Sequence, residues 1–320
     1  MARRSGDVAE LVRRATDAEP RAVARLISLV ENDSPVLREI AAALAPYGGH
    51  AQVVGLTGSP GVGKSTSTSA LVTALRAAGK RVGVLAVDPS SPFSGGALLG
   101  DRVRMQDHAT DPDVFIRSMA SRGQLGGLSA AVPQGLRVLD AARCDVVLVE
   151  TVGVGQAEVE IASLADTTLL VLAPGLGDGI QAAKAGIIEI ADVFVVNKAD
   201  RDGADQVARD LRYMQSLGGR HSDAGAWRPP IVKTVAARGE GVDDVLAALE
   251  KHRAWLDEHG ELDRRRQARA AAEIEAIALG TVKQRLAQVH GSAALDEAAA
   301  RVVAGETDPY SAADLLVESL

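Results

Sequence analysis

The sequence is poor in the residues that several common functions require. Cys144 is the only cysteine among 320 residues, so an internal disulfide is impossible and a cysteine-based metal cluster would need other ligands. Aromatic residues make up 2% of the chain, which leaves few platforms on which single-stranded nucleic acid could stack. The net charge of −7 also argues against a nucleic-acid partner, because such proteins usually present a basic face.

Long apolar segments are missing as well. The basic start Met1–Arg4 runs directly into Asp7 and Glu10, so no secretory signal is predicted. No stretch approaches the roughly 18 uninterrupted apolar residues of a membrane-spanning helix. We therefore expect a soluble cytoplasmic protein with no membrane partner.

The chain divides by composition into three segments. Residues 1–49 predict an N-terminal helical extension, with a second helix opening at Ser34-Pro35. Residues 50–256 alternate short Val-, Leu- and Ile-rich runs with helical patterns, whereas residues 257–320 are helical throughout. The prediction is a central domain with a helical extension before it and a helical arm after it.

The middle segment predicts an α/β fold. Its strand candidates are continuous apolar runs, the pattern of strands covered on both faces of a sheet. These runs are 52–57, 81–87, 145–150, 167–173, 192–197 and 231–236. We expect a doubly wound, mostly parallel sheet that binds its ligand at the carboxyl ends of the strands.

The C-terminal segment predicts a long helix over 261–289. Its apolar stripe runs through Ile274, Ala278, Val282, Leu286 and Val289. We expect another protein surface to pack against this stripe. Another helix is expected over 293–304, and a capping box from Ser311 to Asp314 predicts a short terminal helix.

The best-defined motif is the run Gly58–Ser65, which fits the phosphate-loop pattern GxxxxGK[ST] between a predicted strand and a predicted helix. Its glycines let backbone N–H groups converge on a polyanionic phosphate tail at a helix N-terminus. Lys64 would reach the β- and γ-phosphates, and the Ser65 hydroxyl would ligate Mg²⁺. The candidate phosphate-binding residues are Gly58, Ser59, Pro60, Gly61, Val62, Gly63, Lys64, Ser65 and Thr66.

Acidic residues follow two of the predicted strands. Asp88 and Glu150 would point into the same crevice as the phosphate loop, because the carboxyl ends of parallel strands meet at one edge. Mg²⁺ needs only one or two carboxylates, so both are candidate metal ligands. Glu150–Gly153 also has the form of the switch motif DxxG with Glu in place of Asp, in which the Gly153 N–H would contact the γ-phosphate.

The run Asn197–Asp200 matches the guanine-reading motif NKxD. Asp200 would accept hydrogen bonds from the N1–H and the exocyclic amino group of guanine, which adenine cannot supply. Asn197 would fix the loop and Lys198 would lie along the base. Val235, Ala236 and Ala237 stand where many GTPases have Ser-Ala-Lys, and the Ala236 amide is a candidate donor to guanine O6. The expected ligands are GTP and GDP with Mg²⁺.

A long segment separates the phosphate loop from Glu150. Its glycine-rich run Gly95–Arg102 contains Asp101, a candidate Mg²⁺ ligand through water and a candidate catalytic residue beside Lys64. Arg102 or Arg104 would neutralise charge in the transition state. The alternative is an exposed flexible loop.

These motifs together resemble one family. Gly58–Ser65, Asp88–Ser91, Gly95–Arg102, Glu150–Gln156 and Asn197–Asp200 resemble the MeaB/ArgK/MMAA family of G-protein chaperones of adenosylcobalamin-dependent methylmalonyl-CoA mutase. The resemblance extends over nearly the whole chain.

The resemblance implies several properties that the motifs alone do not. Family members are homodimers joined through the C-terminal arm, bind a mutase, gate delivery of its cofactor by GTP hydrolysis and help protect the enzyme. It also implies a nucleotide-sensing loop at 175–185, with Asp178, Gln181 and Lys184 as candidate responders. Val235–Ala237 departs from the usual base loop, which affects the expected affinity for guanine.

We expect a slow intrinsic GTPase, because phosphoryl transfer depends on positioning and charge neutralisation that a partner can complete. Gln156 is a candidate for orienting the attacking water. Three alternatives stay open: a nickel-type metallochaperone GTPase, a kinase of a transport protein, and a helical dimer that binds nucleotide without turnover. A nickel protein usually has clusters of Cys or His, which one Cys and six His do not readily supply.

Overall fold

The computed structural model describes residues 2–32, 34–88, 107–108, 110–120, 131–151, 157–175, 187–217, 225–289 and 293–318. The chain divides into two compact units, Met1–Leu262 and Asp263–Leu320. The first unit contains the N-terminal helices and a sheet, and the second is helical.

Within the described residues, the sheet of the first unit has seven parallel strands. They are β1 Gln52–Thr57, β2 Val82–Asp88, β3 Val114–Ala120, β4 Val146–Thr151, β5 Thr167–Leu172, β6 Val193–Val196 and β7 Ile231–Lys233. Their order is β3-β2-β4-β1-β5-β6-β7, with β1 in the middle. This confirms the predicted doubly wound α/β fold, in which the loops after β1, β4 and β5 meet at one edge.

The α-helices that the structure describes in the first unit are α1 Ala2–Thr16, α2 Pro20–Glu31, α3 Leu37–Leu44, α4 Lys64–Ala77, α5 Ala131–Ala141, α6 Ala157–Leu164, α7 Ala204–Leu217 and α8 Val242–Glu258. Helix α9, Glu261–Val289, begins at the end of this unit and continues into the second, which also contains α10 Ala293–Val303 and α11 Pro309–Glu318.

Both faces of the sheet are covered, and β4 shows how. Val147 and Val149 point to the core that includes α5, whereas Val146 and Leu148 point to the core that includes α4 and α8. Successive side chains of a strand alternate between faces, so Glu150 continues the second series toward α4. The alternation therefore positions the acidic residue beside the helix that follows the phosphate loop.

The N-terminal segment forms three helices where two were expected. The chain turns at Ala18, whose φ is +58°, and Pro20 then occupies the first turn of α2. Helix α3 begins at Leu37, two residues later than the Ser34-Pro35 signal indicated. Leu26 and Ile40 are fully buried in the same core as α5, so the three helices pack on one face of the sheet.

Strand β3 was missed by the sequence analysis. It lies at the edge of the sheet, paired only with β2 among the described strands, and it contains Arg117 and Ser118 in place of a continuous apolar run. Arg117 donates to Ser28 Oγ at 2.9 Å and pairs with Glu31 at 3.4 Å, so α2 satisfies its charge. A search for apolar runs cannot find an edge strand of this kind.

The second unit leaves apolar side chains exposed. On α9, Ile274 is 68% and Val282 is 50% exposed. The predicted capping box at Ser311 is wrong: α11 begins earlier, and the Asp308 carboxylate accepts hydrogen bonds from the N–H groups of Tyr310 and Ser311 and from the Ser311 hydroxyl. These bonds, above all the one from the Ser311 hydroxyl, hold the pKa of Asp308 below its ordinary value.

The single cysteine lies in the hydrophobic core. Cys144 is 2% exposed, and burial raises the pKa of its thiol to about 12. Among the residues described, no helix has both the length and the apolar character needed to cross a membrane. The cytoplasmic location stays a prediction.

Candidate functional site

The phosphate loop Gly58–Ser65 connects β1 to α4, and its glycines are sterically required. Gly58 has φ of +140°, and a Cβ atom there would lie 2.1 Å from the Val171 carbonyl oxygen. Gly63 has φ of +98°, and a Cβ atom there would lie 2.4 Å from Asn197 Nδ2. Residues with side chains rarely adopt such φ values, so the tight loop against β5 and β6 depends on glycine.

Lys64 opens α4 and folds back over the loop. Its side chain is buried, and its Nζ donates to the Gly58 carbonyl at 2.7 Å and to the Ser59 carbonyl at 3.1 Å. A lysine ammonium has three donors and no acceptor, so it is held at the loop by backbone oxygens. The positive charge lies at the helix N-terminus, where a phosphate is favoured.

Glu150 lies next to this helix start and is only 4% exposed. The Ser65 hydroxyl donates to Glu150 Oε1 at 2.6 Å, and Thr68 Oγ1 lies 3.0 Å from Glu150 Oε2. The two hydroxyls therefore contact different oxygens of one buried carboxylate. Hydroxyl and carboxylate oxygens are the donors that Mg²⁺ prefers, so the residues fit the predicted cation.

Asn197, at the end of β6, ties three parts of the site together and is 3% exposed. Its Nδ2 donates to the Val62 carbonyl of the phosphate loop at 2.9 Å. Its Oδ1 accepts from the Ala236 N–H at 3.0 Å and from Thr234 Oγ1 at 3.2 Å. One side chain thus joins the phosphate loop, β6 and the predicted base loop.

We expect Asn197→Ala to lower the free energy of unfolding by about 2–6 kcal/mol, because it leaves two buried backbone groups without this partner, at about 1–3 kcal/mol each. Thr234→Val removes only the 3.2 Å bond and is expected to cost about 1 kcal/mol. Urea unfolding of both variants measures the difference. Equal losses would show that Asn197 does not join the loops in the way described.

Lys198 and Asp200, the next charged residues of the motif, are less buried than Asn197. Lys198 has φ of +55°, and its Nζ donates to the Gly61 carbonyl at 2.6 Å. The exposed Asp200 carboxylate lies 3.7 Å from the Arg238 guanidinium. A left-handed conformation is uncommon outside glycine, and here it accompanies the turn at which the Lys198 side chain contacts the phosphate loop.

The Ala236 N–H, predicted as a donor to guanine O6, is already used by Asn197 Oδ1. Val235 and Ala236 are buried and Ala237 is exposed. Contact from this loop to guanine O6 would therefore need another N–H or a rearrangement.

Several predicted residues fall outside the described part of the chain. Asp88 ends β2, but its side chain is not described. The remaining ones are Asp101, Arg102, Arg104, Gly153, Gln156, Asp178, Gln181 and Lys184. Within the described residues, no three or more His, Cys, Asp or Glu side chains are grouped so that they could hold a metal ion.

A cavity of about 830 Å³ lies at the opposite, amino edge of the sheet. Its walls include Tyr47, Gln52, Arg143 and Leu249. It contains none of the predicted site residues, so it is separate from the cluster around Lys64 and Glu150.

A family model described as "Methylmalonyl Co-A mutase-associated GTPase MeaB" matches residues 23–290. The chain belongs to the MeaB family. The match includes the phosphate loop, Glu150 and the motif Asn197–Asp200, and it confirms the resemblance on which the sequence analysis drew.

Individual relatives cover most of this MeaB-family chain. A protein of Pyrococcus abyssi is 48% identical over 311 residues, which cover 97% of this chain and 96% of that protein. The GTPase ArgK of Escherichia coli is 38% identical over 266 residues, 81% of this chain and 80% of that protein. A crystal structure described as "LAO/AO transport system kinase" is 29% identical, with a TM-score of 0.70, and covers 98% of this chain and 97% of its own.

Two contacts of this MeaB-family site were missed from the sequence. Thr68 is three residues after Ser65, and side chains at that spacing share one face of a helix. This spacing was the available signal. Thr234 could not be found in the same way, because its contact with Asn197 depends on the pairing of β7 with β6.

Proposed function

We propose that this MeaB-family protein is a Mg²⁺-dependent GTPase that acts as a chaperone of a cobalamin-dependent acyl-CoA mutase. Nucleotide binding and hydrolysis are supported by the cluster of Lys64, Ser65 and Glu150. Asn197 holds the phosphate loop of this cluster by a hydrogen bond. The name of the family model supports the mutase as the partner.

The phosphates would be bound by backbone N–H groups of the phosphate loop and by Lys64. N–H groups of Gly61, Gly63 and Lys64 would surround the phosphate tail at the start of α4. The Lys64 ammonium would exchange the Gly58 and Ser59 carbonyls for phosphate oxygens, which are stronger acceptors because they carry charge. The lysine would thus neutralise charge where it develops during phosphoryl transfer.

Ser65 and Glu150 would hold Mg²⁺, with Asp88 and Asp101 as further candidate ligands. The cation would neutralise charge on the β- and γ-phosphate oxygens. Glu150 is buried beside the helix start, so its orientation is set before nucleotide arrives. Such preorganised groups require little rearrangement at the reaction step.

Guanine would be read by Asp200, with Lys198 along the base. Asp200 would exchange its 3.7 Å contact with Arg238 for hydrogen bonds to the base. Gly153, three residues after Glu150, would contact the γ-phosphate and release it after hydrolysis. The attacking water would be oriented by Gln156 or by a group from the partner, consistent with a slow intrinsic rate.

The chaperone role is tested by nucleotide-dependent binding. Candidate cobalamin-dependent mutases are mixed with the chain in GDP, a non-hydrolysable GTP analogue or no nucleotide, and complexes are measured by calorimetry. We expect binding to one mutase with an affinity that differs between the two nucleotide states. Absent binding to every mutase, or binding that ignores the nucleotide, would contradict the role.

We also propose that the chain forms a homodimer through its second unit, because α9 exposes the apolar side chains Ile274 and Val282. Ile274→Asp is expected to convert the dimer to a monomer at micromolar concentration, since a buried unpaired charge is costly. Light scattering after size-exclusion chromatography measures the mass.

The matched control for the dimer is Glu275→Ala, which changes the adjacent exposed position of the same helix. We expect this variant to stay dimeric. A monomeric wild-type protein, or an Ile274→Asp variant that stays dimeric, would refute the dimer interface.

A protein kinase is the second candidate function, because the related crystal structure is described as a transport system kinase. A kinase would transfer the γ-phosphate to a protein side chain, whereas a GTPase transfers it to water. The destination of the phosphate therefore separates the two.

A further inference from the structure

Thr68 is a polar residue of α4 that the phosphate-loop pattern does not include. Its side chain is fully buried, and its hydroxyl oxygen has two acceptors within reach: Glu150 Oε2 at 3.0 Å and the Lys64 carbonyl at 3.1 Å. A buried hydroxyl this close to the proposed cation site invites a functional explanation, because valine has nearly the same shape and would avoid burying a polar group.

The contact with Glu150 follows from helix geometry. Ser65 and Thr68 are three residues apart, so both hydroxyls emerge from one face of α4. Glu150 faces this helix because it shares the side of β4 that carries Val146 and Leu148. Each carboxylate oxygen therefore meets its own hydroxyl, Ser65 at Oε1 and Thr68 at Oε2.

Two contacts control the carboxylate in a way that one cannot. The last torsion of a glutamate side chain is broad, so a single hydrogen bond leaves the carboxylate plane free to rotate. With Ser65 at one oxygen and Thr68 at the other, the plane is fixed. Groups that orient a metal-binding carboxylate typically change metal affinity 10- to 100-fold when they are removed.

The second acceptor gives Thr68 an additional property. Its hydroxyl has one proton, so it can donate a hydrogen bond either to Glu150 or to the Lys64 carbonyl four residues earlier in the helix. If Glu150 moves toward a cation, the hydroxyl can still donate to Lys64. A small movement of the carboxylate toward a cation, with its plane kept, therefore leaves no buried donor unpaired, which would otherwise cost free energy.

We propose that Thr68 is a positioning residue that fixes the Glu150 carboxylate for Mg²⁺ binding. The inference rests on the proposed role of Glu150 and Ser65 at the cation. In this role Thr68 contacts neither nucleotide nor metal, and therefore it affects nucleotide binding only when Mg²⁺ is present.

The test compares Thr68→Val, which keeps the shape and removes the hydroxyl, with Thr68→Ser, which keeps the hydroxyl. Binding of a fluorescent GDP derivative is titrated with MgCl₂ and repeated in a chelator, and thermal unfolding of the nucleotide-free proteins is recorded. We expect Thr68→Val to raise the half-maximal Mg²⁺ concentration about 10- to 100-fold, with affinity in chelator unchanged and Thr68→Ser close to wild type.

Thr73→Val is the matched control, because Thr73 lies on the same helix, is exposed and bonds to the Ser69 carbonyl. It is expected to leave the Mg²⁺ dependence unchanged. If Thr68→Val fails to fold, Thr68→Ala is measured in the same way. Wild-type Mg²⁺ dependence in the hydroxyl-free variant, or an equal loss of binding in chelator, would overturn the positioning role.

Glu150→Gln separates failure of this inference from failure of the proposed site. If Glu150→Gln shifts the Mg²⁺ dependence and Thr68→Val does not, only the role of Thr68 is refuted. If Glu150→Gln binds Mg²⁺ and nucleotide like the wild type, the proposed cation site is wrong, and the role of Thr68 is overturned with it.

Discussion

Replacing Lys64 by Ala is expected to lower GTP turnover by at least about 10²-fold, the scale on which enzymes lose rate when one transition-state donor is removed. The reason is position: Lys64 Nζ is held by the Gly58 and Ser59 carbonyls at the N-terminus of α4, where the phosphates would bind. Release of inorganic phosphate under saturating GTP and Mg²⁺ measures the effect.

Lys80→Ala is the control for Lys64→Ala, because Lys80 is an exposed lysine just beyond the other end of the same helix. It removes the same charge from the chain and is expected to leave turnover within about twofold. Thermal unfolding of the Lys64 variant should accompany the assay, since the substitution also removes two hydrogen bonds. A folded Lys64→Ala variant with wild-type turnover would contradict the site assignment.

The second large effect is expected from Asp200→Asn, which should change the preferred base from guanine to xanthine. Asp200 would accept two hydrogen bonds from guanine, and bonds to a charged group contribute about 1.5–3 kcal/mol each, so GTP affinity should fall about 10²- to 10⁴-fold. Xanthine has a carbonyl where guanine has its amino group. An asparagine amide can donate to that carbonyl, and XTP binding should increase.

Separate titrations of each protein with fluorescent derivatives of GTP and of XTP measure this change, because a guanine probe alone would bind the variant weakly. Asp202→Asn is the matched control, because Asp202 is an exposed aspartate two residues further along the same loop. Its preference for GTP is expected to be unchanged. If Asp200→Asn keeps the wild-type ratio of GTP to XTP affinity, Asp200 does not read the base.

The sequence predicted those parts of the protein that are encoded locally. Continuous apolar runs identified six of the strands, and the phosphate loop was recognisable from its glycines and its Lys64-Ser65 ending. Helix α9 was predicted over the residues it occupies, Glu261–Val289. These features are visible because each depends on neighbouring residues.

Other features depend on residues that are distant in the chain. Edge strand β3 carries Arg117, whose charge is satisfied by Glu31 of α2, so its pattern is not that of a buried strand. The contact of Thr68 with Glu150 requires the register of β4 against β1 and the packing of α4 on the same face. Such contacts can be inferred only after the fold is known.

The N-cap of α11 shows a different limit. Ser311 and Asp314 satisfy the capping-box pattern, but Asp308-Pro309 precedes them and is an equally good start signal. In the structure Asp308 accepts the N–H groups of Tyr310 and Ser311. The two start signals overlap, and the helix begins at the earlier one, with Pro309 as its first residue.

The most direct test of the proposed function follows the γ-phosphate of GTP in a single turnover. The chain, in excess over γ-labelled GTP, is incubated with Mg²⁺, and the label is traced to water or to protein. We predict equal amounts of GDP and inorganic phosphate, no label on protein and no reaction in chelator. Label on a protein side chain, or GTP that stays intact while bound with Mg²⁺, would contradict the account.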